Sequence, residues 1–336
     1  MARCSIRTAV LFRRSAEMLS YRGSHFFDFF VVMAKRLFGF FSGTVQTLAG
    51  DEVQICILVC LGAAAALLGT FFFLKKSLMV INSISHTVLF GISITAVIIR
   101  IVLGRTIEID AMLTLTEMML ASLCTATLTL WLIRFFVKKL RMQEDAGIGF
   151  VFTFLFALGL VLITLIARNT HIGTEVIMGN LDLVHPHDIA VCALTFAAAL
   201  SFVAFFYIPL TTRAFDAGFA GVARTDFAFQ EFLLTLVSGF IVVIGFRVVG
   251  VVALLGLFVL PPMIARRFTS SVKTMLGAAV MISTATSICA VALSRHILSA
   301  YHTALSTSGM LVTLQALVFL FSLAPSRKEG KEKSIA

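Results

Sequence analysis

The stretch VINSISHTVLFG, residues 80–91, places Asn82, Ser83, Ser85 and His86 inside a long apolar run. On a helix Asn82 and His86 are four residues apart and Ser85 is three from Asn82, so these three share one face. Two kinds of chemistry suit them. An ionisable residue within a membrane span marks a pathway for ions or polar cargo. Ser and Asn also hydrogen-bond between helices and simply hold a bundle together. Both fit the residues. Glu117, in TLTEMML, is a further inward-facing candidate and a candidate charge partner for His86. A second grouping lies in ARNTHIGTEVIMGNLDLVHPHDIA, residues 167–190, which gathers His171, Glu175, Asp182, His185, His187 and Asp188. Imidazole and carboxylate ligate metal ions, but the spacing is not diagnostic, and His185-Pro186-His187 also reads as a turn into a helix capped by Asp188.

Motifs of self-contained catalysis are absent. No G-x-x-x-x-G-K-[ST], H-E-x-x-H or G-x-S-x-G occurs, which leaves no P-loop in this sequence and little support for a membrane protease or esterase. Their absence lowers the enzyme reading without deciding it. The cysteines, Cys4, Cys56, Cys60, Cys124, Cys192 and Cys289, stand singly, without C-x-x-C or the Cys/His spacing of a structural zinc site. They read as small packing residues on helices.

Composition defines the elements that would position the polar patch. Of 336 residues 59% are hydrophobic and 13% charged, and the mean hydropathy is +1.02, which is the makeup of a polytopic membrane protein. Apolar runs long enough to cross about 30 Å of hydrocarbon as helices recur along the chain, whereas the ten-residue alternation of a transmembrane barrel does not. The expected fold is an all-α bundle of eight or nine transmembrane helices, near 53–74, 78–103, 112–135, 148–167, 188–209, 229–246, 248–264, 274–294 and 309–324. The pair 229–264 reads either as two spans or as one broken, re-entrant hairpin around Arg247.

The net charge of +10 comes mostly from short loops, where membrane orientation accounts for it and no nucleic-acid partner is expected. One set of alternate loops carries Lys75 and Lys76, then Arg134, Lys138, Lys139 and Arg141, then Arg213 and Arg224, then Arg266, Arg267 and Lys273, then the tail RKEGKEK. The opposite set carries only Arg100, Arg105, Arg168, Arg247 and Arg295. The positive-inside rule puts the first set, with the C-terminus, in the cytoplasm. Residues 1–50 break the pattern, with Arg3, Arg7, Arg13, Arg14, Arg22, Lys35 and Arg36 on the side the rule calls external. They are read as a basic, aromatic segment, interfacial or poorly ordered, with Met33 as an alternative start and no secretory-signal pattern. Residues 51–325 are the expected transmembrane domain and 326–336 a charged cytoplasmic tail.

Two cytoplasmic loops invite comment. TTRAFDAGFAGVARTDFAFQE, residues 211–231, suits a short helix lying along the membrane that docks another protein, and equally an amphipathic connector without a partner. In RMQEDAGIG, residues 141–149, Glu144 and Asp145 suit the start of a helix, where negative charge complements the dipole.

Four segments, FFFLKKSLMVINSISHTVLFGISI, RMQEDAGIGFVFTFLFALGLVLI, EVIMGNLDLVHPHDI and RVVGVVALLGLFVLPPMIARRFTSSVKTML, occur in that order. Together they resemble the membrane permease of bacterial ABC importers for zinc, manganese or iron, metal ABC transporter family 3, over residues 53–324. The resemblance implies a fold like that of type II ABC importer permeases, placed in the bacterial cytoplasmic membrane and in contact with its lipid. It also implies a second permease subunit, identical or different, a separate cytoplasmic ABC ATPase that hydrolyses ATP, and an extracytoplasmic metal-binding protein. The cargo would be a divalent transition metal ion, with no covalently bound cofactor.

FDAGFAGVA, residues 215–223, matches the family's coupling helix, which assigns Phe215, Asp216, Phe219, Ala220 and Arg224 to the ATPase contact. His86 matches the family's pathway histidine, but the family's Asp four residues earlier is Asn82 here. An amide oxygen ligates a cation without bringing charge to offset its dehydration. Affinity is therefore expected to be lower, or Glu117 or the second subunit to supply a carboxylate. The implied mechanism is alternating access along a path lined by Asn82, Ser85 and His86, with passage weakening as the imidazole is protonated. His171, Glu175, His185 and His187 are expected to meet metal or the binding protein outside. A permease for a metal chelate such as a siderophore, and a non-transporting membrane protein, are the alternatives.

Overall fold

The computed structural model describes residues 26–41, 48–103, 115–166, 181–215 and 227–323. Among them the regular structure is helical throughout. In chain order the helices are α1 (Phe26–Phe41), α2 (Gly50–Leu74), α3 (Leu78–Leu103), α4 (Leu115–Arg134), α5 (Glu144–Ile166), α6 (Pro186–Phe215), α7 (Phe227–Val248), α8 (Val251–Phe268), α9 (Val272–Tyr301) and α10 (Thr307–Ser322). A π turn, Phe135–Lys139, continues α4, and a 3-10 turn, Leu181–Leu183, precedes α6. Six helices contain a stretch long and apolar enough to cross a membrane, in α2, α3, α5, α6, α8 and α9, and α7 and α10 hold shorter apolar ones. The helices α2 to α10 fall on the nine runs expected from the sequence.

The helix α2 lies at the centre, packed on α6, α8 and α9 and buried along most of its length. It is apolar on every side, so no face of it is better placed outside than in. Its small residues let neighbouring backbones approach closely. At Gly69 the backbone carbonyl of Phe258 in α8 sits where a Cβ would be. The helical donor for that carbonyl would be the amide of residue 262, and residue 262 is proline, which has no N–H to give. α2 thus covers a carbonyl that the proline leaves without its helical partner. Gly69→Ala is expected to cost about 1–3 kcal/mol by overpacking, read as a lower unfolding midpoint in detergent. An unchanged midpoint would mean that the two backbones separate freely here.

The doubtful pair around Arg247 forms two helices. Between them Gly250 adopts φ 92°, a region that glycine enters without steric penalty. The carbonyl of Gly245 accepts the N–H groups of Val249 at 2.8 Å and Gly250 at 3.1 Å, closing α7 before α8 begins. Its apolar stretch runs over Phe232–Val248, and Arg247 is exposed near the end of the helix.

The two ends of the bundle differ chemically. Lys75, Arg134, Lys138, Glu144 and Arg213, from the ends of four helices, line one cavity. Asp51, Asp182, Arg295 and Thr307 line another at the opposite end of α2. Loops expected to share a side are therefore brought together. Near the second end α1 packs on α9 and buries Phe29. Arg36 Nε donates to Glu52 Oε1 at 2.6 Å, while Glu52 Oε2 accepts the N–H of Ala49 at 2.8 Å and caps α2.

Candidate functional site

The orientation of α3 is set by small residues on two of its sides. Towards α4, Thr129 Oγ1 donates to Thr87 Oγ1 at 3.0 Å, and a Cβ on Gly91 would lie 2.9 Å from the Ala121 carbonyl oxygen. Towards α5, a Cβ on Gly159 would lie 2.9 Å from the Phe90 backbone nitrogen. The Ser93 hydroxyl is 2.7 Å from the Leu89 carbonyl and 3.3 Å from that of Gly159. With α3 pinned this way, Asn82 and His86 are both half-buried. The His86 ring lies against Phe152 and Phe156 of α5, with centroids 5.1 and 5.4 Å away. Neither Asn82 nor His86 makes a side-chain hydrogen bond or ion pair among the described residues. The aromatic wall orients the imidazole without offering it a lone pair.

Ser85 is placed differently. It is fully buried, and its hydroxyl donates to the Ile81 carbonyl at 2.9 Å, within α3 itself. Ser83 is also buried, with its hydroxyl oxygen unpartnered. Glu117 falls in the first turn of α4, and its side chain lies outside the described residues.

Of the loop residues, His171 and Glu175 lie outside the described residues. His185 and His187 are exposed at the start of α6. There the His185 N–H donates to Asp188 Oδ2 at 3.1 Å and the Asp188 N–H to the His185 carbonyl at 2.9 Å, with Pro186 in the first helical position. This is a capped helix start of the expected kind. Among the described residues no group of three His, Cys, Asp or Glu side chains could hold a metal ion. Phe215 ends α6 and is exposed, while Asp216, Phe219, Ala220 and Arg224 lie outside the described residues.

Sequence reasoning passed over a polar cluster at the acidic end. Asp51 is buried, and Arg295 holds it in a two-pronged contact: Nε donates to Oδ2 at 2.9 Å and Nη2 to Oδ1. Asp182 accepts from Thr307 Oγ1 at 2.8 Å and from Gln54 Nε2 at 3.4 Å. These groups surround a cavity of about 270 Å³. The available signal was the Asp51-Glu52 pair just before the first apolar run and the lone Arg295 just after the eighth.

The ABC 3 transport family matches residues 53–326. A relative from Chlamydia pneumoniae, named "Probable metal transport system membrane protein", is 32% identical over 302 residues, 89% of this chain and 90% of that protein. The "Manganese transport system membrane protein MntC" of Halalkalibacterium halodurans is 28% identical over 267 residues, 79% of this chain and 84% of that protein. The solved structure of PsaBC from Streptococcus pneumoniae in complex with Fab superposes with a TM-score of 0.70 at 20% identity, covering 90% of this chain and 99% of that one. That likeness establishes the fold, and the family match together with the extent of the relatives places the chain: it belongs to the ABC 3 transport family.

Proposed function

We propose that this chain is the membrane permease subunit of a bacterial ATP-driven importer for a divalent transition metal ion, manganese, zinc or iron, with Asn82 and His86 lining the cargo's path. The observation that carries the reading is the pair itself: two half-buried polar side chains, four residues apart in an apolar helix, without hydrogen bonds among the described residues. Polar groups inside a span are costly unless something pairs with them, and an imidazole nitrogen with an amide oxygen suits a borderline cation. The names of the metal and manganese transport relatives favour a free ion as that cargo.

Two neutral donors do not complete a coordination sphere. The remainder would come from a second permease subunit, from Glu117, or from water the ion retains. Energy would enter through a separate ATPase docked on residues 215–224, and metal through an extracytoplasmic binding protein at the end carrying His171, Glu175, His185 and His187. Closure of the ATPases would then switch the path from outward- to inward-facing. The C-terminus lies in the cytoplasm on the positive-inside rule.

Uptake of radiolabelled manganese, zinc and iron by the chain reconstituted with its ATPase and binding protein is the direct test. ATP-dependent entry of a free ion is expected. Entry of a ferric siderophore or cobalamin alone, or of nothing, would sink the reading. In the same assay Asn82→Asp, which adds a charge beside His86, is expected to lower the half-saturating metal concentration severalfold. An unchanged value would take Asn82 off the path.

A further inference from the structure

The helix α4 has two unlike sides. Towards its neighbours it uses small residues: Ala121 and Thr125 meet Gly91 of α3, and Ala126 meets Gly239 of α7, the close approach by which membrane helices pair. Its other side is bulkier. Leu120, Leu128 and Trp131 are exposed there, Trp131 by 60%, with Cys124 and Thr127 between them. No described side chain on this stripe is charged, and the Thr127 hydroxyl donates to the Leu123 carbonyl at 2.8 Å, within α4 itself. Such a stripe offers another helix little close approach and no free hydroxyl, whereas hydrocarbon asks for neither. From Leu120 to Trp131 the helix rises about 16 Å, roughly half the thickness of the hydrocarbon layer. Beyond that point the stripe changes character. Trp131 stacks on Phe135, with centroids 5.9 Å apart and planes at 25°, and Lys139 Nζ lies 5.4 Å from the Phe135 centroid.

We propose that this side of α4 faces phospholipid and that the column of Trp131, Phe135 and Lys139 anchors it at the cytoplasmic interface, with the rings at headgroup level and the ammonium beside a phosphate. Apolar, then aromatic, then cationic is the order of environments a helix meets on leaving a bilayer. A lysine reaches phosphate or water while its stem lies along apolar surface, and here that surface is the Phe135 ring. Lys138, Lys139 and Arg141 put this end in the cytoplasm by the positive-inside rule. The anchor fixes the depth at which α4 ends and α5 sets out, and α5 carries Phe152 and Phe156 against His86.

Trp131 is the single tryptophan of the sequence, so the fluorescence of the unaltered full chain reports on this position alone. The chain is reconstituted into liposomes of phosphatidylcholine and phosphatidylglycerol that carry bromine either near the carboxyl end or near the methyl end of the acyl chains. Most of the tryptophan emission is expected to be lost to bromine near the carboxyl end, and less of it to bromine near the methyl end. Emission unchanged by both lipids overturns the proposal, because a second copy of the chain or another protein then covers Trp131. A greater loss to bromine near the methyl end places the ring deep in the hydrocarbon and overturns the anchor. The part of the ammonium is read from Lys139→Glu, which alters an exposed side chain and sets like charge against the phosphates. Its unfolding midpoint is expected to fall below that of the wild type in the phosphatidylglycerol bilayer and to match it in neutral detergent. Equal midpoints in the bilayer, or the same loss in both media, would remove the phosphate from the anchor.

Discussion

Replacing His86 by Ala is expected to lower ATP-dependent metal uptake by the reconstituted complex at least about tenfold, since losing even an outer partner of a metal ligand costs 10- to 100-fold. The ring does two separable things. It packs on Phe152 and Phe156 at 5.1 and 5.4 Å, and, neutral, it has one nitrogen lone pair to offer from a half-buried position. Aromatic contacts of this kind contribute about 0.5–1.5 kcal/mol each. His86→Phe keeps the packing and removes the nitrogens. Both variants should therefore fail in uptake, while His86→Phe retains the wild-type unfolding midpoint and ATPase association. If His86→Phe carries metal at the wild-type rate, the imidazole serves only to fill space between α3 and α5.

Arg295→Ala is expected to have the largest effect on stability. The Asp51 carboxylate is 3% exposed, and both of its oxygens are held by the Arg295 guanidinium. Removing the arginine leaves a buried charge uncompensated, which costs about 3–5 kcal/mol in comparable pairs. Since the Arg295 side chain is 27% exposed, the low end, about 3 kcal/mol, applies. Arg295→Lys should fall between, because an ammonium cannot match both oxygens at once. The double variant Asp51→Leu/Arg295→Met should recover most of the loss, since it removes both charges together. Unfolding midpoints of the four proteins decide the matter. Equal stability of Arg295→Ala and wild type would mean that the bridge contributes nothing. A double variant as weak as Arg295→Ala would place the loss in packing and not in charge.

How far these sites were legible beforehand differs from residue to residue. Asn82 and His86 stood out because polar groups interrupt an apolar run, a property of the chain itself. Ser85 stood out for the same reason, yet its hydroxyl is turned to the Ile81 carbonyl within α3. Helical spacing places the three on one broad face, and only the neighbouring helices decide which part of that face stays open. The capped start of α6 was legible because His185, Pro186 and Asp188 act within a few residues of one another. Gly69 gave no such signal: its role depends on Phe258 and Pro262 of another helix.

What the sequence by itself determined is the set of helices, their alternating direction and the basic side of the bundle. These follow from local apolar length and loop charge, quantities each segment carries alone. The tertiary structure decided which distant groups meet. It joined Asp51 to Arg295 across 244 residues, gathered cations from three separate connections around one cavity, and turned His86 onto an aromatic wall. Helix formation in an apolar solvent is driven by each segment's own backbone hydrogen bonds. Pairing between helices depends on close backbone approach at small residues such as Gly69, Gly91 and Gly159, which no single segment specifies.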